Sequence, residues 1–140
     1  MKRAQPVSKI MTTNLVTVHR GEPVSKVRQL IREFGVHHVP VVNGQQLIGM
    51  ISQSDVLRVS FGDAFHTDER TVDATLDHTM TIEDLMQKDP VSVEETATVR
   101  DVATILSRAN FHSVPVVSDG NKLVGIVTST DLIRCLLEEL

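Results

Sequence analysis

Aromatic residues are nearly missing from this chain: four Phe, no Trp and no Tyr among 140 residues. The core must therefore be aliphatic, and the composition speaks against modules that hold nucleic acid by stacking bases on exposed rings. Cysteine is limited to Cys135, which rules out a disulfide within the chain and fits a reducing compartment. A large charge of either sign is lacking too, and a net charge of −4 sets up no field that recruits DNA or an anionic membrane. Any bound anion must be held by locally placed cations and backbone amides. No apolar run approaches the roughly 18 residues of a membrane span. The basic start Met1-Lys2-Arg3 is not followed by the apolar segment of a signal peptide. The expectation is a cytoplasmic protein without membrane or nucleic-acid partners. What is present is ordinary: 41% hydrophobic and 23% charged residues, the balance of a folded domain.

The chain repeats itself. With Val7-Ser-Lys-Ile-Met11 placed above Ile82-Glu-Asp-Leu-Met86, the rest falls into register. Val16-Thr17-Val18 meets Val91-Ser92-Val93, and Val24 and Val27 meet Val99 and Val102. His37-His38-Val39-Pro40-Val41-Val42 meets His112-Ser113-Val114-Pro115-Val116-Val117. After one extra residue in the second copy, Leu47-Ile48-Gly49-Met50-Ile51-Ser52-Gln53-Ser54-Asp55 meets Leu123-Val124-Gly125-Ile126-Val127-Thr128-Ser129-Thr130-Asp131, and Arg58 meets Arg134.

Each copy predicts the same elements. A short strand over Leu15–Val18 precedes a helix whose apolar residues Val24, Val27, Ile31 and Phe34 recur at helical spacing. Its counterpart carries Val99, Val102, Leu106 and Ala109 and starts at Thr98 with Asp101 three residues on, a capping-box pattern. Gly35 and Asn110 are placed to stop these helices in the left-handed conformation. Two strands follow, Val39–Val42 and Leu47–Ser52, joined at Asn43-Gly44, with Asp119-Gly120 at the second turn. A last helix starts near Ser54-Asp55 or Thr130-Asp131 and lays Val56-Leu57 or Leu132-Ile133 on the sheet. One such unit has too little interior to stand alone, whereas two can share a core. The expected fold is α/β, with repeat 1 over residues 1–60, a linker over 61–80 and repeat 2 over 81–140. The linker reads as an exposed tether, helical around Glu69–Leu76.

These motifs resemble those of the cystathionine-β-synthase-type (CBS) domain family. The family pairs a His-x-x-Pro-Val strand start with Gly-x-x-Ser/Thr-x-x-Asp at a strand-to-helix turn. Here the first runs from His37 to Val41 and from His112 to Val116. The second is Gly49, Ser52 and Asp55, then Gly125, Thr128 and Asp131. The resemblance covers residues 7–59 and 82–138. It implies a tandem pair, or Bateman module, of two β-α-β-β-α repeats packed about a pseudo-twofold axis with ligand clefts between them. It also implies AMP, ADP, ATP, S-adenosylmethionine or a similar adenosine-containing ligand, and a homodimer. In the resemblance's pairing, Asp131, Thr128 and Thr130 face Thr12, Thr13, Val36, His37 and His38. Likewise Asp55, Ser52 and Ser54 face Lys88, Phe111, His112 and Ser113.

The residues support a chemistry of their own. A carboxylate just inside a helix accepts two hydrogen bonds from a vicinal diol such as a ribose, and charge-assisted bonds of that kind are the stronger ones. The plainer reading is compatible with it: Ser54 and Thr130 cap the helix and the Asp complements its dipole. An Asp there repels phosphate, leaving His37, His38 and His112 as the nearest candidate cations. Gly49 and Gly125 permit a close backbone approach. Met11 and Met86 are read as gap-fillers in the core and Cys135 as packed. Phosphate-loop, dinucleotide and zinc-protease signatures are missing, and the linker's His66, Asp68, Asp73, Asp77 and His78 match no metal-ligand spacing. The expectation is a regulatory sensor, not an enzyme, with no catalytic residue, metal or catalytic cofactor, acting in trans on a separate regulated protein. The alternative is a ligand-free interaction and dimerisation module.

Overall fold

A computed structural model of the chain describes residues 5–60 and 68–140. Met1, Lys2, Arg3 and His66 lie outside the described residues. Two compact units are formed. Val16–Asp89 makes the repeat-1 unit; the described residues up to Leu15 join Pro90–Leu140 in the repeat-2 unit. The segment ahead of each repeat's first strand thus belongs to the unit of the other repeat.

The repeat-1 unit runs β1 (Val18–His19), α1 (Val24–Phe34), β2 (His38–Asn43), β3 (Gln46–Ser52), α2 (Gln53–Ser60), α3 (Glu69–Thr79), α4 (Ile82–Leu85) and β4 (Gln87–Lys88). β1 lies parallel to β2, as the intervening helix requires, and β3 pairs antiparallel with both β2 and β4. The first strand is shorter and later than the predicted Leu15–Val18. α1 stops at Gly35, whose φ of 64° is the left-handed cap expected of it. Val24, Val27 and Leu30 of α1 are buried, while Phe34, predicted for the same stripe, is 60% exposed. Val56 packs into the core and Leu57 stays outside, because residues adjacent on a helix cannot face one way.

Over residues 68–80 the expected tether is a packed helix. Val72 and Leu76 of α3 join the core cluster built from Val18, Val27, Val39, Val41 and Ile51. The polar side chains of α3 are also in use. Asp73 and Glu69 hold the buried Arg28 guanidinium of α1. α1 has no cap of its own, since Pro23 precedes it. Asp77 supplies one, accepting from the Ser25 amide at 2.8 Å and the Ser25 hydroxyl at 2.6 Å. Asp68 caps α3 itself through the Arg70 amide.

The repeat-2 unit runs β5 (Val93–Glu94), α5 (Val99–Arg108), β6 (Ser113–Ser118), β7 (Lys122–Thr128) and α6 (Ser129–Glu139). Its strands pair as in the other unit, with β5 parallel to β6 and β6 antiparallel to β7. Both hairpins carry a register shift at the same place, Val41/Val42 and Val116/Val117. The N-terminal segment stands where β4 stands in the other unit. Thr12 exchanges both backbone hydrogen bonds with Ile126, and Val7 is fully buried. α5 begins in the predicted Thr98–Asp101 capping box but ends at an extended Ala109, so Asn110 is not the left-handed stop. The second turn accommodates its extra residue with positive φ at both Gly120 and Asn121. On α6, Leu132 packs inward and Ile133 is 63% exposed. The core is aliphatic, built on Val7, Val102, Val114, Val116 and Val127.

Candidate functional site

In both units the last long strand runs directly into the helix that follows it, α2 or α6, and the turn is fixed by a reciprocal pair of hydrogen bonds. The Thr128 hydroxyl accepts from the Asp131 amide at 3.1 Å, and the Asp131 carboxylate accepts from the Thr128 amide at 3.0 Å. Ser52 and Asp55 repeat the arrangement at 3.1 and 2.8 Å. The cap residues are thus Ser52 and Thr128, with the aspartates at the third helical position. Ser54 and Thr130, read as caps, are instead exposed within the first turn. The interior string Ser/Thr-x-x-Asp was the usable signal.

Strand register brings the other candidates of each unit to the same edge. His38 lies opposite Ser52 across the β2–β3 ladder, and Ser113 opposite Thr128 across β6–β7. The His37 carbonyl accepts from the Gln53 amide at 2.8 Å, and the His112 carbonyl from the Ser129 amide at 2.9 Å. The His37 ring places Nδ1 2.8 Å from Gln53 Oε1. Val36 is half-buried, and Phe111, His112, Thr12, Thr13 and Lys88 are exposed. Ser113 is buried. Val36, His37, His38 and Lys88 thus fall in the unit of Asp55, and Phe111, His112, Ser113, Thr12 and Thr13 in that of Asp131.

The covering segments reach both carboxylates. The Thr12 hydroxyl donates to Asp131 at 3.2 and 3.3 Å. Gln87, in the repeat position of Thr12, donates to Asp55 at 3.5 Å. Asp55 also takes the Arg58 guanidinium at 3.0 Å. Gln87 and Arg58 are absent from the sequence-derived candidates, although Gln87 follows Met86 as Thr12 follows Met11. Burial pushes the Asp55 carboxyl up, but the Ser52 amide, Arg58 and the Ser52 hydroxyl together hold it below the ordinary aspartate value. Below the turn, Met11 and Met86 press on the glycines of the motif: a Cβ added at Gly125 or Gly49 would lie 2.4 Å from the methionine sulfur. The close approach these glycines allow is that of a methionine.

Among the described residues, no cluster of three or more His, Cys, Asp or Glu side chains is placed to hold a metal. The linker carboxylates Asp68, Asp73 and Asp77 are engaged as caps and ion-pair partners instead. Cys135 is buried and unpaired with another cysteine. No described helix is long and apolar enough to cross a membrane.

Comparison with known proteins agrees with the duplicated turn. The inosine-5′-monophosphate dehydrogenase of Korarchaeum cryptofilum is 28% identical over 132 residues, which are 94% of this chain and 24% of that protein, so the chain spans about a quarter of that relative. The crystal structure of CBSX2, a CBS-pair protein of Arabidopsis thaliana, in complex with AMP superposes with a TM-score of 0.79 at 26% identity, covering 96% of this chain and 98% of that one. The CBS domain pair of protein MJ0100, in complex with 5-methylthioadenosine and S-adenosyl-L-methionine, gives a TM-score of 0.78 at 25% identity, covering 98% and 99%. The CBS domain family itself matches residues 7–62 and 82–138, which contain both capped aspartates and both His-x-x-Pro-Val strands. On this evidence the chain belongs to the CBS domain family and carries two copies of the domain in tandem.

Proposed function

We propose that this chain is a regulatory module that binds an adenosine-containing ligand through its capped aspartates. The observation carrying this reading is the strand-to-helix Gly-x-x-Ser/Thr-x-x-Asp turn, present twice, with its carboxylate oriented by the Ser52 or Thr128 amide and the aspartate amide held by the Ser52 or Thr128 hydroxyl. A carboxylate held in that way meets a ribose diol without a further ordering cost. Support comes from relatives of the same fold that bind AMP, or 5-methylthioadenosine and S-adenosylmethionine. Thr128, Thr130, Thr12 and Thr13 accompany Asp131; Ser52, Ser54 and Lys88 accompany Asp55. The strand-start residues Val36, His37, His38, Phe111, His112 and Ser113 complete the proposed set, contacting base or phosphate. The module acts on a separate protein and has no catalytic step of its own. Ile133, Leu136 and Leu137 are each at least half exposed on α6 and suit a homodimer contact.

Calorimetric titration with AMP, ADP, ATP, NAD and S-adenosylmethionine tests the reading. Asp131→Ala is expected to weaken binding by about 1.5–3 kcal/mol, the scale of a hydrogen bond to a charged group. Asp101→Ala is the control, since it removes the same kind of capping box from α5. It should lower the melting temperature and leave affinity unchanged. Equal affinity in wild type, Asp55→Ala and Asp131→Ala would mean that no diol is clamped. Absence of heat with every compound would favour the interaction-module alternative.

A further inference from the structure

The two aspartates match in sequence but differ in how firmly they are held. Asp55 is 4% exposed, and one carboxylate oxygen receives the Ser52 amide while the other receives both Arg58 and Gln87. Each of those donors must leave, or share, before a diol can bind. Asp131 is more exposed. One oxygen receives the Thr128 amide, and among the described residues the carboxylate's other hydrogen-bond partner is the Thr12 hydroxyl, at 3.2 and 3.3 Å. Those distances are long for a hydroxyl donor, whose usual separation is about 2.7 Å. A hydroxyl also rotates without cost and accepts as readily as it donates, so it accommodates an incoming diol. Arg134 occupies the position of Arg58 but makes no ion pair among the described residues. It lines, with Lys9, Glu138 and Glu139, a cavity of about 350 Å³ that Asp131 borders within the same unit.

We infer that the repeats are unequal receptors: Asp131 takes the ligand's diol, while Arg58 and Gln87 keep Asp55 closed as a structural carboxylate. The inference rests on the proposed adenosyl binding and specifies which repeat supplies the diol contact. It makes Arg58 a residue that limits the number of ligands bound, a role nothing in the repeat alignment suggests, since both copies have the arginine.

Binding stoichiometry tests it on the full chain, with S-adenosylmethionine, AMP and ATP titrated separately in a calorimeter. Wild type is expected to bind one molecule per chain, and Asp131→Asn to weaken that event at least tenfold. Arg58→Ala combined with Gln87→Ala is expected to add a second binding event, while Arg134→Ala adds none. Arg58 is largely exposed, so its loss leaves the core intact, and thermal melts of each variant verify folding. Two equivalent molecules per wild-type chain would overturn the inequality, as would a single event that survives Asp131→Asn or a stoichiometry unmoved by opening Asp55. Absence of any binding in wild type would sink the adenosyl reading itself, and this inference with it, so the two failures are told apart.

Discussion

The three heavy atoms nearest a methyl group added at Gly125 all belong to the Met11 side chain, with sulfur at 2.4 Å; at Gly49 the Gln87 carbonyl oxygen is among the three, at 3.1 Å. A methionine swings aside at modest cost, having three rotatable bonds. The Gln87 carbonyl belongs to β4 and cannot move without disturbing its pairing with β3. Gly49→Ala is therefore expected to destabilise by roughly 1–3 kcal/mol, the range of overpacked cores, and Gly125→Ala by less. Urea midpoints of the two variants measure this, and equal losses would remove the backbone from the explanation. At this scale the sequence was readable in kind but not in partner. The repeat alignment marks both glycines, both methionines and both aspartates. It does not say that Met11 packs under Gly125, because that contact joins distant parts of the chain. Nor does it separate Asp55 from Asp131, whose difference lies in Gln87 against Thr12 and in where two equivalent arginines point.

Among the elements, α1, β2, β3, α5, β6 and β7 were legible from periodicity and turn residues, since apolar stripes and Asn-Gly or Asp-Gly turns report local conformation directly. α3 was legible as a helix and not as part of the core. Only Val72 and Leu76 of its side chains are buried, so no stripe stands out. Three of its polar residues tie α3 to α1: Asp73 and Glu69 to Arg28, Asp77 to the uncapped start of α1. Such ties are invisible in a linear reading. They predict that Leu76→Ala destabilises the protein by about 2–5 kcal/mol, as for a buried leucine. Asp77→Ala should cost about 1 kcal/mol, the value of a lost cap. A tether would tolerate both. Chemical denaturation distinguishes the cases, and wild-type stability in Leu76→Ala would return α3 to the role of a linker.

For the molecule as a whole, the same capping device recurs ahead of α2, α4, α5 and α6, and it ties stability to pH. The Ser52 amide and Arg58 outweigh burial and hold the Asp55 carboxyl low. Hydrogen bonds from Thr81 and Thr98 lower Asp84 and Asp101 from the ordinary aspartate value. A carboxyl lowered by folding binds its proton less readily in the native chain than in the unfolded one. Its contribution is therefore complete above the unfolded value, near 3.9, and is lost as pH falls through the lower folded value. Through these three groups, stability should thus be insensitive to pH near neutrality and should fall on the acid side, with protons taken up on unfolding. Asp101 isolates one of them, since it is fully exposed and belongs to no proposed binding set. Asp101→Asn should be less stable than wild type at neutral pH, and the gap should narrow as pH drops below about 4, where wild type loses what the variant never had. Urea midpoints of both chains between roughly pH 3 and pH 7 supply the comparison. Curves that stay parallel through the acid range would show that the capping carboxylate is not what the acid limb titrates.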